Sequence, residues 1–312
     1  MSVTDRAARR VVSVEDARRA LDGREFAVPA SIANLGPGFD ALAVAVQLYL
    51  RVRVTSIDPE SRNAVRSRFG KVALEGEDYV ARSVRALAAR EGLDFPSLDL
   101  DVVSDIPMQA GLGSSAAATV AGLQIYDALA GPAQRDLIAE GTAFEGHPDN
   151  IAAALLGGLA SGCVCDDGRV LTASTPWPEH IRFVAATPAA RVKTPEARRV
   201  LPESISRADA IFNLQRVALL LQALHANRPT LLREALRDKW HQPYRASLVP
   251  GLAEALALEH PDLLGVCLSG SGPTVVALVL GNTGGIEQAL KDIYARLKVP
   301  CHLRVLKAHN QP

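Results

Sequence analysis

Residues 109–122 read QAGLGSSAAATVAG. Gly111 and Gly113 permit a backbone path closed to larger side chains. The small and apolar residues that follow predict a helix over Ser114–Ala130. A glycine turn that feeds straight into a helix leaves two readings. It is either a tight turn ahead of a buried helix or an anion cradle. In the second case the turn's N–H groups, with the helix dipole behind them, hold a phosphate. Ser114 is placed to cap the helix, and Ser115 offers a hydroxyl to a phosphate oxygen or a magnesium ion. The stretch has no G-K-[ST] ending and no G-x-G-x-x-G spacing, so it is neither a Walker loop nor a dinucleotide fingerprint. A phosphate bound here is bound without a loop lysine.

Around this stretch the chain alternates helical and strand patterns. Ala27–Ala33 is a short apolar segment, followed by the Gly/Pro loop NLGPGFD at Asn34–Asp40. Ala41–Val54 is a buried element leading into a strand, and the region with Asp58, Pro59 and Gly70 reads as turns with short strands. Helices are predicted over Asp78–Glu91 and Pro132–Phe144. Another, capped by Asp149 or Asn150, runs through Leu156 and ends at Gly157 and Gly158. Leu98–Val103 alternates apolar residues with aspartate, as an exposed strand does, and Gly162–Val170 reads as a hairpin. A boundary falls near residue 175. Beyond it, Ile181–Ala186, Leu264–Leu268, Thr274–Leu280 and His302–Leu306 read as strands. Ile205–His225, Pro229–Trp240, Leu252–Glu259 and Ile286–Leu297 read as helices. Two Val-rich strands around the turn SGSGP, flanked by helices, indicate an α+β layer.

Three further groups carry chemistry beside plainer alternatives. In EGHPDN, Glu145 and Asp149 are hard oxygen donors of the kind magnesium takes, and His147 titrates near neutrality. A zinc site is disfavoured, since only one histidine is local. In NLGPGFD, Asn34 and Asp40 either shape a turn or hold a hydroxylated ligand from two sides. Arg198 and Arg245 either face solvent or clamp a carboxylate in bidentate fashion.

Composition excludes several classes. Lys and Arg total 34, as do Asp and Glu, giving a formal net charge of zero and no support for a nucleic-acid or acidic-membrane partner. No run of 18 apolar residues is present to span a membrane. The four cysteines form no CxxC framework, so a reduced, cytoplasmic protein is expected. Cys163 and Cys165 are expected to pack rather than bind metal. The first 25 residues are arginine-rich, lack the apolar region of a secretory signal, and read as a solvated or loosely docked extension.

Taken in order, VPASIANLGPGFD (Val28–Asp40), PMQAGLGSSAAATVAG (Pro107–Gly122) and SGSGPT (Ser269–Thr274) resemble the three signature motifs of the GHMP small-molecule kinases. The branch resembled most is that of the homoserine kinases. Its marks are PAS-x-ANLGPGFD, EGHPDN with the later glycine pair, KTPEARRVLP (Lys193–Pro202) and PYRASLVPG (Pro243–Gly251). The similarity runs from about residue 26 to the end.

The resemblance implies a ribosomal-protein-S5-like ATP-binding domain over 26–175 and a ferredoxin-like domain over 176–312, with residues 1–25 extra. It implies transfer of the ATP γ-phosphoryl group to the side-chain hydroxyl of L-homoserine by a cytoplasmic homodimer that uses ATP and Mg2+. By position, Pro107, Gly111, Leu112, Gly113, Ser114, Ser115, Ala116 and Ala117 would wrap the ATP phosphates. The two glycines would keep Cβ atoms away from the ATP tail. Ser115 and Glu145 would hold the metal. Asn34, Asp40 and His147 match residues that contact homoserine, and Arg198 and Arg245 match the pair on its carboxylate. Asn34, Thr194 and Arg198 would be the catalytic residues, with Thr194 next to the reacting hydroxyl. FDALA stands where the branch has FDSLG. Tyr79-Val80 stands where Asn-Leu is common, on an element near the nucleotide base. The alternatives are a GHMP kinase for another small alcohol and a non-catalytic binding protein on the same fold.

Overall fold

The helix expected over Ser114–Ala130 is formed over those same residues, with Ala116, Ala117, Val120, Leu123, Ile125 and Tyr126 buried. It is apolar on nearly every side, the pattern of a helix covered all round. The structure, a computed structural model, describes residues 10–70, 77–131 and 135–311. It divides into two compact units. One draws on Met1–Val28, Tyr49–Asp105 and Ser115–Gly146, the other on Pro29–Leu48, Ile106–Ser114 and His147–Pro312.

In the first unit the later half of the strand Leu42–Arg62 pairs antiparallel with Pro96–Ser104, which also pairs in parallel with Val65–Arg68. Along Pro96–Ser104 the residues Leu98, Leu100 and Val102 point inward and are buried, while Asp99 and Asp101 between them lie half-exposed. The alternation predicted there is therefore that of a strand with one buried face. The turn expected at Asp58-Pro59 is not formed. The strand continues to Arg62, and Pro59 sits where the ladder shifts register between Asp58 and Arg62. A proline is tolerated at such an irregularity because no ladder N–H is demanded of it. The helix Tyr79–Glu91 is capped by Asp78, whose carboxylate accepts from the Ala81 N–H at 3.0 Å. The next predicted helix is observed over Leu137–Glu145, capped by Asp136. Its expected start at Pro132 lies outside the described residues.

The described part of the amino-terminal segment is docked, contrary to the solvated extension expected. Arg10–Val11 pairs in parallel with Leu93–Asp94, and Val14–Leu21 is a helix capped by Ser13. Ala17 and Leu21, four apart and so on one helix face, are fully buried. Eight residues with four charges conceal so short an apolar stripe. Leu21→Ala is expected to lower stability by about 2–5 kcal/mol, read from denaturant melts. A solvated extension would give no change.

The second unit contains the strands Ile181–Pro188, Leu263–Leu268, Val275–Leu280 and Cys301–Leu306. In space their order is second, third, first, fourth, and every pairing is antiparallel. Helices intervene between the first and second strands and between the third and fourth. This is the ferredoxin-like β-α-β-β-α-β pattern, and the α+β class holds. One sheet face, with Val184, Leu268, Val275 and Ala277, packs on Ile286, Leu290, Ile293 and Tyr294 of the helix Gly284–Arg296. The same unit holds the antiparallel hairpin Leu159–Val164 and Val170–Thr175.

Three local expectations are corrected in this unit. Pro229–Trp240 is helical only to Ala235. Asp238 then ends the pattern, its carboxylate accepting from the N–H groups of Trp240, His241 and Gln242 at 2.7–2.9 Å. Asp149 does not cap its helix but is the first residue inside it, after Pro148. Cys163 is exposed and Cys165 half-exposed, so neither is a packing residue. No helix among the described residues is long and apolar enough to cross a membrane.

Candidate active site

The loop Asn34–Asp40 owes its shape to residue types that tolerate left-handed backbone. Asn34 and Asp40 have φ of 72° and 55°, conformations open to Asn and Asp. The Asn34 carboxamide clasps the loop. Its Oδ1 accepts from the Asp40 N–H at 3.1 Å, and its Nδ2 donates to the Gly270 carbonyl at 3.1 Å. Asn34 is buried and spends its amide on the protein frame, leaving one donor and one acceptor position on it.

Asp40 faces Arg198 in a fork. Nη1 donates to Oδ2 and Nη2 to Oδ1, each at 2.9 Å, between groups 158 residues apart in sequence. Arg198 comes from the helix Thr194–Arg199. Thr194, its first residue, has Oγ1 3.4 Å from the Ser271 Oγ in the SGSGP turn. Arg245 is 2% exposed. Its Nε donates to the Ala197 carbonyl at 3.1 Å, and its Nη1 donates to the Gly270 carbonyl at 3.0 Å and to His241 Nδ1 at 3.2 Å. Burial, then the neighbouring Arg198 charge, brings the Arg245 pKa down to about 10, so it remains cationic at neutral pH. Gly270 O thus joins Asn34 to Arg245.

Two residues that the sequence reading did not single out support this pair. Phe39 lies under both guanidiniums, with ring centroid distances of 5.6 Å to Arg198 and 5.1 Å to Arg245, a cation–π arrangement. His241 is fully buried. Its Nε2 donates to the Gly36 carbonyl at 2.8 Å, which leaves Nδ1 to accept from Arg245. Acceptance at Nδ1 requires the neutral ring, and burial lowers its pKa in the same sense. The only sequence signal for His241 is its place four residues before Arg245.

His147 and Asp149 complete the cluster. His147 Nδ1 lies 2.6 Å from Asp149 Oδ1, and ligand atoms of Asp40, His147 and Asp149 all fall within 4.8 Å of one another. Burial disfavours the charged imidazole, but the Asp149 hydrogen bond and charge, with Asp40 behind, outweigh it and raise the His147 pKa above 6.5. A raised folded-state pKa means that the folded protein binds the proton more tightly. The resulting stabilisation is fully present below pH 6.5 and is lost as pH rises through the folded value. NMR titration of the His147 ring is expected to give a midpoint above 6.5, shifted down in Asp149→Asn.

The glycines of the 109–122 stretch also let the loop pack closely on the protein itself. A Cβ on Gly111 would stand 2.3 Å from the Ser269 carbonyl oxygen, and one on Gly113 would stand 2.2 Å from Ser31 Oγ. The loop is sewn in place by neighbours. Ser269 Oγ donates to Gly111 O at 2.6 Å, Thr274 N–H to Ala110 O at 3.1 Å and Ser31 N–H to Leu112 O at 3.1 Å. Ser31 Oγ in turn donates to Asn150 Oδ1 at 2.6 Å.

In the first unit, Ser115 Oγ donates to Glu145 Oε2 at 3.0 Å. Thr119, one helical turn after Ser115, donates to Glu145 Oε1 at 3.4 Å. The i, i+4 spacing was the available sign that Thr119 shares this face. Three hard oxygen side chains converge, with no nitrogen or sulfur among them, a donor set that suits magnesium. Tyr79 begins its helix and Val80 is buried beneath it. The Arg82 guanidinium lies 5.5 Å from the Tyr79 ring and 5.3 Å from that of Phe144.

Comparison with known proteins supports one family. Residues 78–158 match the profile of the GHMP kinases N terminal domain, and residues 220–296 that of the GHMP kinases C terminal domain. The chain is 38% identical to a homoserine kinase of Solibacter usitatus, over 86% of this chain and 88% of that relative. It is 41% identical to one of Thermus thermophilus, over 80% and 85%. A crystal structure of homoserine kinase from Cytophaga hutchinsonii superposes with a TM-score of 0.79 at 26% identity, covering 93% of this chain and 96% of that one.

Proposed function

Given that this chain belongs to the GHMP kinase family and, within it, to the homoserine kinases, we propose that the cluster of Asp40, His147, Arg198 and Arg245 is where it holds L-homoserine. The reaction transfers the γ-phosphoryl group of ATP to the side-chain hydroxyl, giving O-phospho-L-homoserine, a step of threonine biosynthesis. One observation carries the assignment of the cluster. A carboxylate and a guanidinium stand side by side in a fork, backed by a second, buried arginine. Homoserine offers the complementary charges, a carboxylate for the arginines and an ammonium for Asp40.

The remaining roles follow from this reading. Asn34 holds the Asp40 backbone in register, and His147 contacts the substrate beside Asp40. Thr194 stands next to the reacting hydroxyl. Pro107, Gly111, Leu112, Gly113, Ser114, Ser115, Ala116 and Ala117 take the ATP phosphates, with backbone N–H groups and the helix dipole favouring negative charge. Ser115 and Glu145, with Thr119 beside them, hold Mg2+. The bound ion supplies charge neutralisation on the phosphates. Phosphoryl transfer of this kind asks for alignment and charge stabilisation more than for a strong base, in keeping with a cluster that fixes both ends of a small amino acid. The ATP-binding domain over 26–175 and the second domain over 176–312, the cytoplasmic location and the homodimer belong to the same reading, as expectations of the family.

The test is a comparison of kcat/KM for L-homoserine, mevalonate, galactose and shikimate with ATP and Mg2+. L-Homoserine is expected to exceed each of the others by at least about a hundredfold. Preference for one of the other alcohols would assign the chain to a different GHMP activity.

A further inference from the structure

We propose that the Asp40–Arg198 pair is an internal substitute for the two charges of the substrate, so that the site selects ligands carrying an ammonium and a carboxylate together. This rests on the cluster being the homoserine site. The fork of Arg198 is fully used by Asp40, through Nη1 and Nη2 at 2.9 Å each. A carboxylate that takes this end-on Nη1/Nη2 edge displaces that of Asp40. The pair is 41% and 32% exposed in its side chains, open enough for the exchange to take place from solvent.

Each half of the exchange is unfavourable alone. A ligand with only a carboxylate frees Asp40, which then lies beside Asp149 with only the His147 ring between them as compensation. A ligand with only an ammonium takes Asp40 and leaves Arg198 facing Arg245. Those two cations sit over the same Phe39 ring, and Arg245 is already penalised by Arg198. A zwitterion replaces both partners in one step. Its carboxylate takes the fork, its ammonium takes Asp40, and the net charge of the cluster is unchanged. Two contacts hold the partners near this geometry. Asp40 is held at its N–H by Asn34 Oδ1 at 3.1 Å, and Phe39 underlies the Arg198 guanidinium.

The test uses L-homoserine, 4-hydroxybutanoate and 3-aminopropan-1-ol, measured by calorimetry and as competitive inhibitors in the intact protein. In wild type both half-charged alcohols are expected to bind at least about a hundredfold more weakly than homoserine, since each leaves a charged group unpaired. In Asp40→Asn, chosen because asparagine tolerates the same backbone, homoserine should weaken. 4-Hydroxybutanoate should tighten by about fivefold or more, because it no longer displaces a carboxylate. In Arg198→Gln the mirror result is expected, with 3-aminopropan-1-ol tightening and homoserine weakening. The proposal is overturned if either half-charged alcohol binds wild type within about tenfold of homoserine. It is also overturned if neither tightens in the variant that frees its partner while the thermal transition is retained. Absence of homoserine binding to wild type would instead remove the functional reading on which the proposal stands.

Discussion

Glu145→Ala is expected to lower kcat by about a hundredfold or more, about 2.7 kcal/mol of transition-state stabilisation, with the fold intact. Glu145 is the acceptor for both Ser115 Oγ and Thr119 Oγ1, and it is the only carboxylate in that group of three oxygen side chains. Truncation removes the one full negative charge there. The structural consequence is small by comparison. Ser115 is partly exposed and can turn to water, and the Thr119 hydroxyl can turn to the carbonyl four residues earlier in its helix. The variant should therefore melt close to wild type while the Mg2+ concentration needed for half-maximal rate rises. Unchanged kcat with unchanged Mg2+ dependence would remove Glu145 from the metal site.

Arg245→Ala is expected to act on both stability and substrate affinity. The side chain is buried and donates to Ala197 O, Gly270 O and His241 Nδ1. Removing it strands buried acceptors, a loss of about 2–3 kcal/mol, seen in denaturant melts. The homoserine KM should rise by at least about tenfold, the scale of one lost charge-assisted contact, while the KM for ATP stays within about twofold. Arg245→Lys should not restore either property, because a single ammonium cannot serve Nε and Nη1 positions at once. A homoserine KM unchanged in Arg245→Ala would mean that this arginine is structural only.

Much of the fold could be read from residue patterns where one force dominates. Ser114–Ala130 is small and apolar throughout, and Leu264–Leu268 and Thr274–Leu280 are Val-rich runs around a glycine turn, so composition and period agree there. The errors fall where a side chain or a pairing overrides the local pattern. Pro59 signals a turn, yet it occupies a register irregularity inside a strand. The apolar spacing after Pro229 continues as though helical, but Asp238 takes three backbone N–H groups and ends it. The helix Val14–Leu21 buries only Ala17 and Leu21 among many charges, too little to register as a periodic stripe.

The site was legible in its residue types and not in its pairings. The arginines, the Asn34 and Asp40 loop and the Ser115 and Glu145 donors carry recognisable chemistry, but nothing local says that Arg198 and Asp40 meet across 158 residues. Phe39 and His241 were hidden for the same reason, since their work is to hold other side chains. Gly111 and Gly113 were legible as necessary glycines, but the protein neighbours they pack on were not. The space that they keep clear is filled by Ser269, Gly272, Ser31 and Asn150.

The most direct measurement is of product. The purified protein is incubated with ATP, Mg2+ and L-homoserine, ADP release is followed, and the phosphorus-containing products are identified by 31P NMR. ADP and O-phospho-L-homoserine should appear in equal amounts, with no comparable ADP release when homoserine is omitted. ADP release that does not depend on homoserine, or a phosphorylated product other than O-phospho-L-homoserine, would contradict the account.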